Sequence, residues 1–239
     1  MAGGAALPRR PQTNAEGEPF RQPSNASAEG ASPERERSEA RDKWATFDCY
    51  GTLIDWDAGI RALVGDELLA RYHEVEPQVQ AENPALGYRE VMREVLRRLD
   101  FTDADALGRS LPGWPVFPEV PEALESARER GWKLAILSNT DRDFIEASLA
   151  SIAVPFELAI VASEIGSYKP ALGHWRAFEE RIGRLPDVHV AASHFHDVVP
   201  ATKLGIPTLW INRRFEAGEP RPTRELPNLE RLPDTLDEL

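Results

Sequence analysis

The chain has 239 residues, a formal net charge of −12 and a single cysteine. A surface this acidic argues against binding to nucleic acid or anionic membranes, and one cysteine excludes an intramolecular disulfide or a zinc site built on cysteines. No stretch approaches the roughly 18 consecutive apolar residues of a membrane-spanning helix. These features favour a cytoplasmic protein that acts on a small molecule, and they leave a homodimer open.

The N-terminal segment, residues 1–42, has only Met1, Leu7 and Phe20 as large apolar residues. Pro, Gly, Ala, Ser, Arg and Glu dominate the remainder. Such a composition buries too little apolar surface to offset the entropy lost on ordering. We therefore predict a disordered tail that takes no part in the fold.

The first predicted strand is the apolar run that starts at Lys43 and leads into Asp48 and a Gly51-Thr52 turn. This pattern is typical of a buried strand that carries a carboxylate at its carboxyl end. Alternation along the strand points Cys49 away from Asp48, so we expect a packed free thiol there.

A helical insertion is predicted after this strand, over residues 58–112. From Ile60 to Val79, and again from Tyr88 to Leu99, apolar residues recur at steps of three and four, which is the period of one helical face. The two segments are separated by a loop at residues 84–87. We interpret them as two amphipathic helices that form a small cap.

Strands and helices alternate beyond Pro115, which predicts a parallel, doubly wound sheet of Rossmann-like α/β type. In this fold class the core comprises residues 43–57 and 113–239, and the ligand crevice lies outside the carboxyl ends of the strands. The predicted strands are 133–137, 158–162, 188–192 and 207–212, and the predicted helices are 119–131, one capped by Asp141, 174–182 and one that ends at Gly205.

Polar side chains stand at the carboxyl end of each of these strands. Taken singly, each is more typical of a turn or a helix cap than of a functional site. Together on one edge they predict a site in which a carboxylate attacks an electrophile and a lysine keeps that carboxylate ionised. The residues are Asp48, Ser138, Asn139, Lys169 and Asp197.

Four segments, in this order, resemble the four motifs of the haloacid dehalogenase superfamily. That resemblance spans residues 43–213 and implies a hydrolase whose nucleophile is Asp48. The matching segments are Phe47-Asp48-Cys49-Tyr50-Gly51-Thr52-Leu53-Ile54-Asp55, Leu137-Ser138-Asn139, Tyr168-Lys169-Pro170, and Asp197 with Ala201, Gly205 and Ile206-Pro207.

Tyr50 distinguishes between branches of the superfamily. Phosphatases of the superfamily carry an Asp at this position, where it protonates the departing alkoxide, whereas a halide leaves without a proton. The Asp-x-Tyr-Gly-Thr form is similar to the L-2-haloacid dehalogenases, the branch that needs no metal. Ser193 stands where metal-dependent members place an acidic residue, which also disfavours magnesium. We therefore expect no cofactor.

Other positions match this branch less evenly. Arg71 is the best match to the halide-accepting arginine of the cap, although an exposed helix arginine explains it equally well. The branch's serine and asparagine before the last Asp are Ala192 and His194 here, and its tyrosine after the lysine is Trp175. His194 could bind substrate or act on the hydrolytic water, and Tyr50 and Trp175 could line the pocket.

The leading hypothesis is that Asp48 displaces halide from a short 2-haloacid and that water then cleaves the resulting aspartyl ester. Halide would leave toward Arg71 and Asn139. Thr52 and Ser138 would fix the carboxylate, Lys169 would hold its charge, and Asp197 would position water, with His194 as an assisting group. Two alternatives remain: a phosphate or phosphonate hydrolase with Mg²⁺ on Asp48 and Asp197, and a catalytically idle member that binds a metabolite or a partner. His73, His174 and His189 are assigned to structural or surface positions.

Overall fold

The computed structural model of the protein describes residues 41–239. The prediction of a disordered tail concerns residues 1–42, of which 1–40 lie outside the described residues. Across 41–239, no helix combines the length and the apolar character needed to cross a bilayer.

A six-stranded parallel sheet forms the centre of the described region, with the strand order β3-β2-β1-β4-β5-β6. The α/β prediction is therefore confirmed. The last strand was not predicted, because only one of its three residues is buried and two are charged. The strands are β1 (Lys43–Phe47), β2 (Trp132–Ser138), β3 (Leu158–Val161), β4 (Val188–Ala191), β5 (Thr208–Ile211) and β6 (Arg224–Leu226).

Helices cover both faces of the sheet. Along β2, Leu134 and Ile136 belong to one apolar cluster, whereas Ala135 and Leu137 belong to another. Successive side chains of a strand point to opposite faces, so each face has its own core, as expected of a doubly wound sheet. The helices of this part are α4 (Val120–Glu129), α5 (Arg142–Ile152), α6 (Ala162–Ile165), α7 (Gly173–Ile182), α8 (Val199–Lys203) and α9 (Leu232–Asp237).

The point at which the sheet changes direction lies beside β1. From β1 the chain continues outward through β2 and β3, and it then returns to the other side of β1 to form β4. Phe47, at the end of β1, is paired with Ile136 on one side and Val190 on the other. Ligands of open parallel sheets bind at such a switch point, so Asp48 stands at the edge where a site is expected.

Three helices occupy the predicted insertion: α1 (Trp56–Glu82), α2 (Tyr88–Arg98) and α3 (Ala106–Ser110). The first begins at Trp56 because the Asp55 carboxylate accepts a hydrogen bond from the N–H of Ala58 at 2.9 Å. It is interrupted at Gly65, whose φ of 76° is not helical. Helices are thus present as predicted, while the division into a cap at 58–112 and a core at 43–57 and 113–239 stays a prediction.

Asp141 connects the insertion to the sheet. It stands at the N-terminus of α5, as predicted, but its carboxylate makes no hydrogen bond to that helix. Instead it accepts hydrogen bonds from the backbone N–H groups of Tyr88 and Arg89, both at 2.8 Å. The free N–H groups at the start of α2 are therefore capped by a side chain from another part of the chain.

Candidate active site

Asp48 is held by the turn that follows β1. Its side chain is nearly buried, and its Oδ2 accepts a hydrogen bond from the hydroxyl of Thr52 at 2.9 Å. Gly51, with φ of 86°, allows the chain to turn back so that Thr52 lies beside Asp48. The Thr52 hydroxyl also accepts the N–H of Ala192 at 2.9 Å, which ties the turn to the end of β4.

Lys169 connects two carboxylates beneath the edge of the sheet. Its buried ammonium donates hydrogen bonds to Asp48 Oδ1 at 2.8 Å, to Asp197 Oδ1 at 2.6 Å and to the carbonyl oxygen of Leu137 at 2.8 Å. These three bonds use all three donors of the ammonium. The third and fourth motifs are thereby joined to the first.

The charges of this network depend on one another. Burial acts to lower the pKa of Lys169, but Asp197 and Asp48 outweigh it, and the net pKa is raised. Burial likewise acts to raise the pKa of Asp197, yet Lys169 and His189 hold it well below its ordinary value. Burial raises the pKa of Asp48, and Lys169 and Thr52 oppose that rise. Lys169 thus keeps its proton and supplies the positive charge that both carboxylates require.

His189 was assigned to a structural or surface position from the sequence, but it contacts Asp197 of the site directly. It lies within β4, and its Nε2 is 2.9 Å from Asp197 Oδ1, while its Nδ1 is 2.9 Å from the hydroxyl of Thr46. Asp197 Oδ2 is buried and has no hydrogen-bond partner among the described residues. A histidine within an otherwise apolar strand was the available signal, since buried polar groups need partners.

The second motif contributes one open hydroxyl and one structural amide. Ser138 ends β2, and its buried Oγ lacks a partner in the described part of the chain. The Asn139 side chain donates to the carbonyl oxygen of Lys169 at 3.0 Å and accepts its N–H at 2.7 Å, so it anchors the loop that carries Lys169. His174, assigned to a structural or surface position, is fully buried, with its Nε2 3.0 Å from the carbonyl oxygen of Ser138.

These groups face a cavity of about 640 Å³, a size typical of small-molecule sites. We call the lining side chains Asp48, Ser138, Lys169 and Asp197 its floor. The lining residues from the second half of α1 and from α2 form its roof: His73, Glu76, Pro77, Gln80 and Tyr88.

Tyr50 lines the cavity, but its hydroxyl is bound elsewhere. The Tyr50 Oη lies 3.0 Å from the Ser148 hydroxyl on α5, and the ring stacks on Tyr88 with centroids 6.3 Å apart. Burial raises the pKa of Tyr50 well above its ordinary value. The residue two positions after Asp48 is therefore a packed tyrosine whose phenol keeps its proton at neutral pH.

His194 lies in the cavity wall. Its Nε2 is 3.0 Å from the carbonyl oxygen of Pro220, and its ring contacts Trp210 with centroids 4.9 Å apart. A carbonyl can only accept, so Nε2 carries the proton in this contact and a neutral ring has Nδ1 as an acceptor.

Trp175 and Arg71 are not brought to the cavity. Trp175 is fully buried in the second apolar cluster with Phe178, and its ring packs against His189 at 5.3 Å. Arg71 is exposed, because on α1 the neighbouring Tyr72 takes the buried face and each residue along a helix rotates by about 100°. The arginine of α1 that lines the cavity is Arg61.

The roof contains a buried carboxyl group that the sequence analysis did not single out. Glu76 is 8% exposed, and its Oε1 accepts a hydrogen bond from the Gln80 amide at 2.7 Å. Burial raises the pKa of Glu76 to about 7. Glu76 lies four residues after Tyr72, which places both on the buried face of the helix. It was not singled out from the sequence because the helical periodicity was traced through apolar residues only.

The raised pKa of Glu76 predicts a pH-dependent stability. In the unfolded chain a glutamate titrates near pH ~4.3, whereas the folded protein holds this proton until about pH 7. The stabilising effect of the proton is complete below the unfolded pKa and is lost as the pH rises toward the folded one. Glu76→Gln should therefore gain free energy of unfolding over wild type between those values, by up to ~1.4 kcal/mol per pH unit, in urea titrations. If the difference in free energy of unfolding between Glu76→Gln and wild type stayed constant between these two pKa values, the raised pKa of Glu76 would be contradicted.

Comparison with known proteins gives the same family over most of the described chain. The family model for haloacid dehalogenase-like hydrolases matches residues 43–192. The (S)-2-haloacid dehalogenase of Pseudomonas sp. (strain YL) is 30% identical over 200 residues, which cover 72% of this chain and 83% of that enzyme. The phosphoserine phosphatase of Thermus thermophilus is 29% identical over 127 residues, 52% of this chain and 51% of that enzyme.

A solved structure shows the same fold. The L-2-haloacid dehalogenase from Xanthobacter autotrophicus, with chloropropionic acid covalently bound, aligns with a TM-score of 0.72 at 19% identity and covers 82% of this chain and 99% of that chain. This likeness concerns the fold alone. The family match and the sequence relatives go further, and with them the chain belongs to the haloacid dehalogenase-like hydrolases.

Proposed function

We propose that the protein is a hydrolytic dehalogenase of short 2-haloacids and that Asp48 is its nucleophile. The observation that carries this proposal is Tyr50, whose hydroxyl is occupied by Ser148 instead of being offered to a leaving group. A site with no acid at this position suits a leaving group that departs as a stable anion. The relative from Pseudomonas sp. (strain YL), an (S)-2-haloacid dehalogenase, supports the same chemistry.

In the first step, a carboxylate oxygen of Asp48 attacks the carbon that bears the halogen. A carbon–oxygen bond forms, the carbon–halogen bond breaks, and the halide leaves with the bonding electrons. The negative charge of Asp48 is thereby transferred to the halide, and an ester remains on the protein. Lys169 and Thr52 orient the carboxylate through their contacts of 2.8 and 2.9 Å.

In the second step, water attacks the carbonyl carbon of the Asp48 ester, and the bond from this carbon to the substrate oxygen breaks. The product is a 2-hydroxy acid, and one proton is released to water. Asp197 Oδ2, which has no partner among the described residues, is the group best placed to hold the attacking water. Nδ1 of a neutral His194 supplies a second acceptor in the same wall.

The anionic parts of the substrate have two candidate partners in the lining. The open hydroxyl of Ser138 lies on the floor. Arg61 lies on α1, and among residues 41–239 its salt-bridge partner is the highly exposed Asp66, at 2.7 Å. An exposed pair of this kind is weak and can be exchanged for a substrate carboxylate or a halide. Asn139, whose amide is bound to the Lys169 backbone, acts mainly by fixing that loop.

A magnesium site, which the phosphatase alternative requires, fits these residues poorly. Each carboxylate of the floor gives one oxygen to Lys169, and Asp48 gives the other to Thr52. The hydroxyl of Ser193 is bound to His196 within its own turn. Over residues 41–239, moreover, no three or more His, Cys, Asp or Glu side chains are grouped to hold a metal. Magnesium prefers several oxygen ligands, so we derive no step through it.

A paired assay tests the proposal. Halide release from L-2-chloropropionate and phosphate release from a generic phosphomonoester are each measured with magnesium and with chelator. We expect halide release that resists the chelator and that falls by at least ~10³-fold in Asp48→Asn, because the amide is not a nucleophile. Magnesium-dependent phosphate release without halide release would refute the dehalogenase function. No activity with either substrate class would favour the catalytically idle alternative.

The two arginines of α1 form a matched pair for a second test. Arg61 lines the cavity and Arg71 is exposed, so Arg61→Ala should lower kcat/KM for L-2-chloropropionate by about tenfold or more, the size expected for a lost charge-assisted hydrogen bond. Arg71→Ala should stay within about twofold of wild type, as for a solvated charge. The reverse pattern would restore Arg71 as the halide-accepting group and contradict the placement of α1.

A further inference from the structure

We propose that the roof carboxylate, Glu76, binds a positively charged amine of the substrate. The natural substrate then carries an ammonium group in addition to the 2-haloacid end, whose halogen-bearing carbon Asp48 attacks. The inference rests on the proposed function for the position of the reacting end. It adds a specificity-determining residue at the opposite side of the cavity.

The first argument is the burial of Glu76 at a cavity wall. The residue is 8% exposed, lines the cavity and is held by Gln80 at 2.7 Å. Tyr88 also acts on this carboxyl group, but burial outweighs that contact, so the group lacks the full solvation that it has in water. A ligand that brings hydrogen-bond donors and positive charge would satisfy it.

The second argument is the charge of the roof. Its five residues include one carboxyl group and no lysine or arginine. His73 lies 3.1 Å from Asp57, so its ring is directed toward another carboxylate. Because no salt bridge to Glu76 is formed within the described part of the chain, its carboxylate would repel a second negative charge of a substrate and attract a cation.

The third argument is that the lysine and arginine side chains of the lining are bound to carboxylates outside the roof, apart from Arg61, which we assign to the anionic end of the substrate. Lys169 is held by the two aspartates of the floor, and Arg213 is bound to Glu119 at 2.8 Å. Arg214 is bound to Asp57. The raised pKa of Glu76 agrees with this lack of positive charge, because burial is the main cause of the rise in pKa. An ammonium group in the roof would reverse that effect by stabilising the ionised form.

The fourth argument is the space between the two ends. The floor offers the Ser138 hydroxyl and Asp197 Oδ2, neither of which has a hydrogen-bond partner within residues 41–239, and these suit the reacting end and its water. A cavity of about 640 Å³ is in the range that drug-sized ligands occupy, so it has room for a substrate that extends beyond a two- or three-carbon haloacid. The geometry therefore assigns the reacting end to the floor and the amine to the roof.

Equilibrium binding tests the inference without turnover. Calorimetry at about pH 8, where Glu76 is ionised, would compare ω-amino carboxylates, from 3-aminopropionate to 6-aminohexanoate, with the alkanoates of the same chain length. At least one amino carboxylate should bind wild type about tenfold or more tightly than its matched alkanoate. Glu76→Gln should lose this preference, and Glu74→Gln, which changes an exposed carboxylate of the same helix, should keep it.

Several results would overturn the inference. These are equal binding of the two ligand series, tighter binding of the alkanoates, no binding of either series, and a preference that survives in Glu76→Gln. None of these binding measurements requires halide release. They can therefore contradict the role of Glu76 even when the dehalogenase assay shows activity. Conversely, a wild-type preference that depends on Glu76 would stand even if the leaving group were not a halide.

Discussion

The hydrogen bonds from the Lys169 ammonium to Asp48 and Asp197 are the interaction on which the rest of the site depends. Three separate segments meet there: the turn after β1, the loop before α7 and the turn after β4. An unpaired charge in a buried site costs about 3–5 kcal/mol, so these carboxylates cannot lie side by side without the lysine. The surrounding bonds, from Asn139 to the Lys169 backbone and from His189 to Asp197, hold the members of this network in register.

The sheet and the helical insertion contribute different properties to the cavity. The floor comes from the carboxyl end of β2 and the segments that follow β1, β3 and β4, and the hydrogen bonds of Lys169 hold its carboxylates in place, which suits a reaction that demands orientation. The roof comes from α1 and α2, which are attached through contacts such as the cap that Asp141 provides to α2. We therefore propose that the sheet edge carries the chemistry and that the insertion selects the substrate. Glu76 and Arg61 are the residues of α1 through which we expect that choice to be made.

The sequence indicates which residues meet at the floor because their meeting follows from the order of the strands in the sheet. Once β1 to β4 are parallel neighbours, the polar residues that follow them lie at one edge, and there Lys169, in the segment between β3 and α7, contacts both Asp48 and Asp197. The roof could not be predicted in this way. Which residue of α1 faces the cavity depends on the interruption at Gly65 and on packing against α2, and an error of one position turns the helix by about 100°. Arg71 is exposed for this reason, and apolar periodicity gave Glu76 no weight.

The central claim is that Asp48 forms an ester that water opens at the aspartyl carbonyl. A single turnover in H₂¹⁸O, with protein in excess over L-2-chloropropionate, tests it most directly, followed by mass spectrometry of the peptide that contains Asp48. The account predicts one ¹⁸O atom in the Asp48 carboxylate and unlabelled oxygen in the released 2-hydroxy acid. Label in the product with none in Asp48 would mean that water attacks the substrate itself, and it would contradict the account.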